Sequence, residues 1–244
     1  MRVPMATELL KVWEWGNGQT SVQKALGLLM VAWPENSPNE LAGLSVGQRD
    51  GRLLQLRESL FGPKLASVAV CPACGERLEL NFLVSDILIT TPAPPAVLSI
   101  EQADYAVSFR LPNSQDLLRL ATAAVTTNAG RNLLVAGCIL EARLDGQAID
   151  VAALPDALIE AVIAGMAAAD PQADVQLALN CPRCGHAWEP TFDIVSFFWQ
   201  ELNGWADRLL HDVHILALTY GWSESDILTL SEWRRQYYLG MIHG

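Results

Sequence analysis

The sequence predicts a helix-rich α+β fold, on three observations. Helical periodicity, punctuated by N-cap and stop signals, fills both ends of the chain. Two short stretches alternate apolar and polar residues on either side of a turn, as half-buried hairpins do. The turns are copies of one phrase, Cys71-Pro72-Ala73-Cys74-Gly75 and Cys181-Pro182-Arg183-Cys184-Gly185. Two Cys-x-x-Cys hooks supply the four thiolates of a tetrahedral metal site. Proline stiffens each turn, and glycine permits the left-handed backbone that lets amides point at sulfur. The expected unit is a four-cysteine zinc ribbon built from two distant β-hairpin knuckles, between helical N- and C-terminal segments. Since 106 residues separate Cys74 from Cys181, the metal would clip together remote parts of the chain.

Residues 1–63 read as a helical N-terminal segment. A helix at 8–15 is stopped by Gly16-Asn17-Gly18, and a second at 22–33 follows a Thr20 or Ser21 cap and ends before Pro34. Ser37-Pro38-Asn39-Glu40 has the capping-box pattern with proline at the first helical position. Ser45-Val46-Gly47-Gln48 repeats the pattern and opens a helix to Leu60, closed by Gly62-Pro63. Leu53, Leu56 and Leu60 mark its apolar stripe. Arg49, Asp50, Arg52, Arg57 and Glu58 are expected on a solvated face with local ion pairs or, alternatively, on an arginine-rich contact surface.

Residues 64–89 form the first ribbon knuckle, with strands at 65–70 and 78–82. Thr90-Thr91-Pro92-Ala93-Pro94-Pro95 reads as a linker, because proline blocks both helix and ladder bonding. Residues 97–170 form an inserted α/β subdomain, with a strand at 105–111 and helices at 114–124, 131–140 and 155–169. Asp145-Gly146 is a turn between short strands. Residues 171–193 carry the second knuckle, with strands at 175–179 and 188–192. Residues 194–244 are a helical, aromatic C-terminal segment: a long helix at 194–219, a short one capped by Ser223, and a last one after Ser231.

Composition narrows the function. The 244 residues are 51% hydrophobic and 18% charged, which describes a globular chain able to bury a full core. A net charge of −11 argues against a nucleic-acid partner, since phosphate binding relies on basic surface. No apolar run approaches the roughly 20 residues that span a bilayer. The opening Met1-Arg2-Val3-Pro4 lacks the pattern of a secretory signal, so a cytoplasmic chain with reduced, metal-bound thiolates is expected.

The metal site is expected to hold one structural ion per chain through Cys71, Cys74, Cys181 and Cys184. Zinc is preferred, with rubredoxin-like iron as the alternative. A closed four-thiolate site leaves no open coordination position and is therefore not catalytic. Cys138, in an apolar stretch, reads as a buried hydrophobe. His186 reads as a surface or outer residue of the site, and His211 with His214 as packing or hydrogen-bonding residues. No phosphate-cradling glycine loop and no nucleophile elbow occurs, so a non-enzyme is expected. Trp233, Arg234, Arg235 and Tyr238 in the last helix have the composition of a binding hot spot, although this helix could instead simply dock on its own core.

Four stretches resemble the baseplate proteins of T-even-type contractile phage tails and their relatives in bacterial contractile injection systems. They are residues 44–50 running on to 56–62, the two cysteine hooks, Asp170-Pro171-Gln172-Ala173-Asp174, and residues 213–222 with the pattern from Ile227 to Leu239. The resemblance implies a part of the baseplate or central hub, or a factor for its assembly, that acts through other baseplate proteins and becomes part of a phage tail-like particle. The alternatives are a zinc-ribbon nucleic-acid-binding or regulatory protein, which the charge opposes, and a metal-clipped enzyme subunit or chaperone.

Overall fold

The structure, a computed structural model, describes residues 1–90, 94–123 and 127–243. Helices α1 (Ala6–Gly16) and α2 (Ser21–Ala32) open the chain, followed by α3 (Pro38–Gly43) and α4 (Val46–Phe61). Thr20, Ser37 and Ser45 each accept from the backbone amide three residues on, and Gln23, Glu40 and Gln48 reach back to close the capping boxes. Strands β1 (Lys64–Val70) and β2 (Arg77–Leu83) pair antiparallel and lead into the short helix α5 (Val84–Ile87). Next come β3 (Leu98–Gln102), β4 (Tyr105–Phe109), α6 (Ser114–Thr122), α7 (Thr127–Cys138), β5 (Ile139–Leu144), β6 (Gln147–Ala148) and α8 (Asp156–Ala169). Strands β7 (Leu179–Asn180) and β8 (Ala187–Trp188) precede α9 (Ile194–Tyr220), α10 (Glu224–Thr229) and α11 (Glu232–His243).

Three elements depart from expectation. The helix expected to reach Leu140 stops at Cys138, whose carbonyl accepts from the Arg110 amide at 2.9 Å, and Ile139 onward joins the sheet. The strands of the second knuckle are short: a single bridge at Gln176↔Thr191 precedes the two-residue β7–β8 pairing. Pro190 has no N–H to extend that ladder. Strand β3 is not among the expected strands, and it pairs with β4 across its whole length. Of the expected linker, residues 91–93 lie outside the described residues.

The chain forms two compact units, residues 1–33 with 195–244, and residues 34–194. In the first, Leu10, Ala206 and Leu209 form one core and Val213, Leu216, Ile227 and Leu239 another. The indole N–H of Trp13 donates to Asn203 Oδ1 at 2.8 Å. Gly16 lies against Trp199, where an added Cβ would fall 2.1 Å from the ring.

In the second unit, β3-β4-β5-β6 form an antiparallel sheet. Its apolar residues Val107, Phe109 and Ala142 bury against Leu158, Val162 and Met166 of α8. The β5–β6 turn uses Asp145 and Gly146, both at positive φ, as a tight hairpin requires. Asp116 on α6 is buried and pairs with Arg110 and Arg119, while Arg110 also donates to the Gly137 carbonyl. This joins the end of β4 to α6 and α7. Burial raises the Asp116 carboxyl, but Arg110 and the backbone amide of Asn113 together outweigh it and hold the group below the usual range.

Helix α4 overturns the expectation of a solvated basic face. Arg49 and Arg57 are buried, at 5% and 2% exposure. Arg57 Nη1 donates to the Gly62 carbonyl at 2.6 Å, closing the C-terminus of its own helix, and Arg49 Nε donates to Asp50 at 2.7 Å. The four amides from the cap Ser45 to Gln48, which the helix cannot bond internally, all find partners. Ser45 donates to Gln48 Oε1, Val46 to the Pro112 carbonyl, Gly47 to Asp170 Oδ2 and Gln48 to Ser45 Oγ.

Candidate metal centre

The two hooks fold into near-copies of one turn. Cys71 N–H donates to the Glu76 carbonyl at 2.8 Å and Gly75 N–H to the Cys71 carbonyl at 2.9 Å. The equivalents in the second hook are Cys181 to His186 and Gly185 to Cys181, both at 2.9 Å. Gly75 and Gly185 have φ of 73° and 72°, a backbone that side chains with a Cβ resist. Each hook is carried by antiparallel strands, β1–β2 ending at Val70↔Arg77 and β7–β8 at Asn180↔Ala187.

The hooks meet sulfur to sulfur. Cys71 Sγ lies 3.7 Å from Cys184 Sγ, and Cys74 Sγ lies 3.6 Å from Cys181 Sγ. All four sulfurs fall within 4.8 Å of one another. A tetrahedral site with metal–sulfur bonds of about 2.3 Å spaces its sulfurs by about 3.8 Å, so the geometry fits such an ion. Cys71 and Cys181 are buried, Cys74 is half-buried and Cys184 is exposed. Arg183 and Glu76 bridge the two turns at 3.1 Å, and Phe82 and Phe192 pack edge to face with centroids 5.6 Å apart.

The electrostatics are those of thiols competing for few protons. The backbone amide of Glu76 favours the Cys74 thiolate, yet burial and the sulfurs of Cys184, Cys181 and Cys71 push that thiol up to about 12. Burial also opposes ionisation of Cys181, but the amides of Cys184 and Arg183, with the sulfurs of Cys74 and Cys184, bring it down to about 7. Four thiolates this close cannot all persist without a cation among them, and a divalent metal supplies that charge.

The remaining sequence candidates lie elsewhere. His186 stacks on Trp188 at 6.0 Å, and no histidine joins the sulfur cluster among the described residues. His211 and His214 are exposed on α9, and Cys138 is buried as expected. On α11, Trp233 is 74% exposed, and Arg234 is exposed with its guanidinium 5.8 Å over the Tyr238 ring. Arg235 is not an exposed partner of Arg234. It is buried, and its Nη1 donates to the Leu230 carbonyl at 2.6 Å.

The family described as T4 bacteriophage base plate protein matches residues 8–199. The chain belongs to that family. The match takes in both hooks, α4 and the Asp170 turn, so these features of the baseplate protein sit in one span, while residues 213–239 lie beyond it. Neither a curated protein nor a solved structure matches the chain significantly. No helix of the described residues is long and apolar enough to cross a membrane.

Sequence reasoning missed the contact that joins two of the family-like stretches. The buried Asp170 carboxylate caps α4 at Gly47, and Gln172 Oε1 accepts from Ile89 N–H at 2.6 Å. The glycine within Ser45-Val46-Gly47-Gln48 was the available signal. An added Cβ there would fall 2.1 Å from Asp170 Oδ1, so only glycine fits.

Proposed function

We propose that this chain is a structural or assembly component of the baseplate or central hub of a contractile tail or contractile injection system. It acts through protein contacts, on a scaffold held by one zinc ion at Cys71, Cys74, Cys181 and Cys184. The observation that carries this reading is the family match across residues 8–199, which includes the two hooks. The sulfur geometry supports zinc, and membership of a baseplate family supports a structural role and not a catalytic one. An aromatic run that is exposed at Trp233, Tyr237 and Tyr220 and half-buried at Tyr238 and Trp222 supports the contact role. Trp233 stacks on Tyr237 at 5.5 Å, Tyr237 meets Tyr238 at 6.5 Å, and Tyr238 meets Trp222 and Tyr220 at 4.9 and 5.7 Å. Aromatic side chains with an arginine across one face are what protein partners bury.

The test is to delete the gene for this chain from a strain that makes the particle and to image the product. Tails or sheaths without baseplates are expected, with assembly restored when the chain is supplied again. Normal particles in the deletion strain would overturn the reading.

A further inference from the structure

Strand β2 pairs with β1 on one side only, and β7–β8 form a separate two-stranded sheet. The described residues contain no ladder between the two. A groove of about 750 Å³ is lined on one side by Glu79–Phe82 of β2 and on the other by residues 174–179, with Ile87 and Ile89 also in its lining.

Both walls offer unused main-chain groups. The outer edge of β2 has no strand against it. On the opposite wall, Leu177 N–H donates to the Pro190 carbonyl and the Val175 carbonyl accepts from Phe192 N–H. In that antiparallel pattern the backbone groups of Gln176 and Ala178 turn away from residues 190–192, and both residues line the groove. The half-buried side chains of Leu80, Phe82, Leu177 and Leu179 give apolar seats at alternate positions. Glu79, Asp86 and Asp174 line the groove, and no lysine, arginine or histidine does. Two of these carboxylates are held in place: Asp86 accepts from Leu83 N–H, and Asp174 from Gln176 and Thr191.

We propose that this groove takes an extended, cationic segment of a partner protein as an added strand. Open edges on both walls select an extended backbone, because such a segment bonds through its own N–H and C=O groups. The acidic lining selects lysine or arginine on that segment, and the chain's net charge of −11 draws it in from a distance. At about 3.3 Å per residue, the four residues of β2 on the wall match roughly four residues of the guest. The inference extends the contact role to a second surface and does not depend on which metal the hooks hold.

The probe is an acetylated, amidated (Lys-Val)₄ octapeptide added to the full chain as purified, followed by amide NMR shifts and hydrogen exchange. Shifts confined to residues 79–82 and 174–179 are expected, with at least tenfold slower exchange at the amides of Glu79, Asn81, Gln176 and Ala178, which are not bonded to β1 or to residues 190–192. A peptide N-methylated at alternate residues should bind at least tenfold more weakly. The (Glu-Val)₄ peptide should not bind, and Glu79→Lys, at an exposed position, should weaken the lysine peptide about fivefold or more. Equal binding of the N-methylated peptide overturns strand addition, and equal binding of (Glu-Val)₄ overturns the charge selection. Shifts elsewhere, or none, overturn the site. A free chain that is already dimeric, with amides 79–82 protected, makes a second copy the occupant and also overturns the proposal.

Discussion

The backbone amide of Gly47 donates to Asp170 Oδ2 at 2.9 Å, across 123 positions of sequence. The carboxylate sits at the positive end of α4, where an acceptor and a negative charge are both favourable. Gly47→Ala would drive a methyl group against that carboxylate and against the Ala173 amide, 2.9 Å away. A loss of about 1–3 kcal/mol is expected by urea denaturation, as for other overpacked sites. Asp170→Ala should cost about 0.5–2 kcal/mol, as other lost caps do. Alanine at Gly43, where an added Cβ meets nothing within 4 Å, should cost far less.

Elemental analysis of protein purified without added metal should find about one equivalent of zinc. Iron in its place would reassign the ion, and no metal in a folded chain would remove the site. Because binding energy at such a site is folding energy, a chelator or Cys181→Ser should lower Tm sharply, by several kcal/mol of stability. An unchanged melting curve for Cys181→Ser counts against a metal staple.

Asp116 gives a pH test. Its folded carboxyl titrates below the usual range, so its contribution is present above the unfolded value of about 4 and disappears as pH falls through the folded one. The stability gap between the wild type and Asp116→Asn should therefore be full at pH 6 and close on acidification. At neutral pH the gap should be on the order of 2–3 kcal/mol, typical of hydrogen bonds to charged groups. A gap that stays constant down to pH 3 would refute the ion-pair role.

The neighbouring arginines of α11 should separate stability from assembly. Arg234→Ala, at an exposed site, should change stability by less than about 0.5 kcal/mol. Arg235→Ala removes the donor to Leu230 and should cost about 1–3 kcal/mol. In a strain with the variant as its sole source of this chain, Trp233→Ala with Arg234→Ala should yield particles lacking baseplates. Normal particles would show that this face is not an interface.

Much of the fold was legible because its signals are local. Thr20, Ser37 and Ser45 each announce a helix that begins at the next residue, and the hooks carry their own turn chemistry. What the sequence concealed is non-local. Arg49 and Arg57 look solvated until the surrounding fold covers them, and the stop at Cys138 depends on Arg110 arriving to take its carbonyl. Arg235 is set apart from Arg234 by its burial and by the Leu230 carbonyl it bonds, neither of which the two adjacent arginines reveal in sequence. The sulfur cluster was foreseeable because spacing within each hook constrains it. The groove beside β2 was not, since an unpaired edge leaves no mark on composition.

The distance in sequence between the hooks also sets an order of events during translation. A ribosome adding about 5–20 residues per second needs about 5–20 seconds to travel from Cys74 to Cys181. Until then a nascent chain can offer an ion only one pair of thiolates. The helices of residues 1–33 wait longer still, since their compact unit is completed only by residues 195–244. The unit of residues 34–194 can therefore close first, once the second pair of thiolates has been made, while residues 1–33 wait for the C-terminal segment. A chain stopped between the two would lack the core that α9 completes.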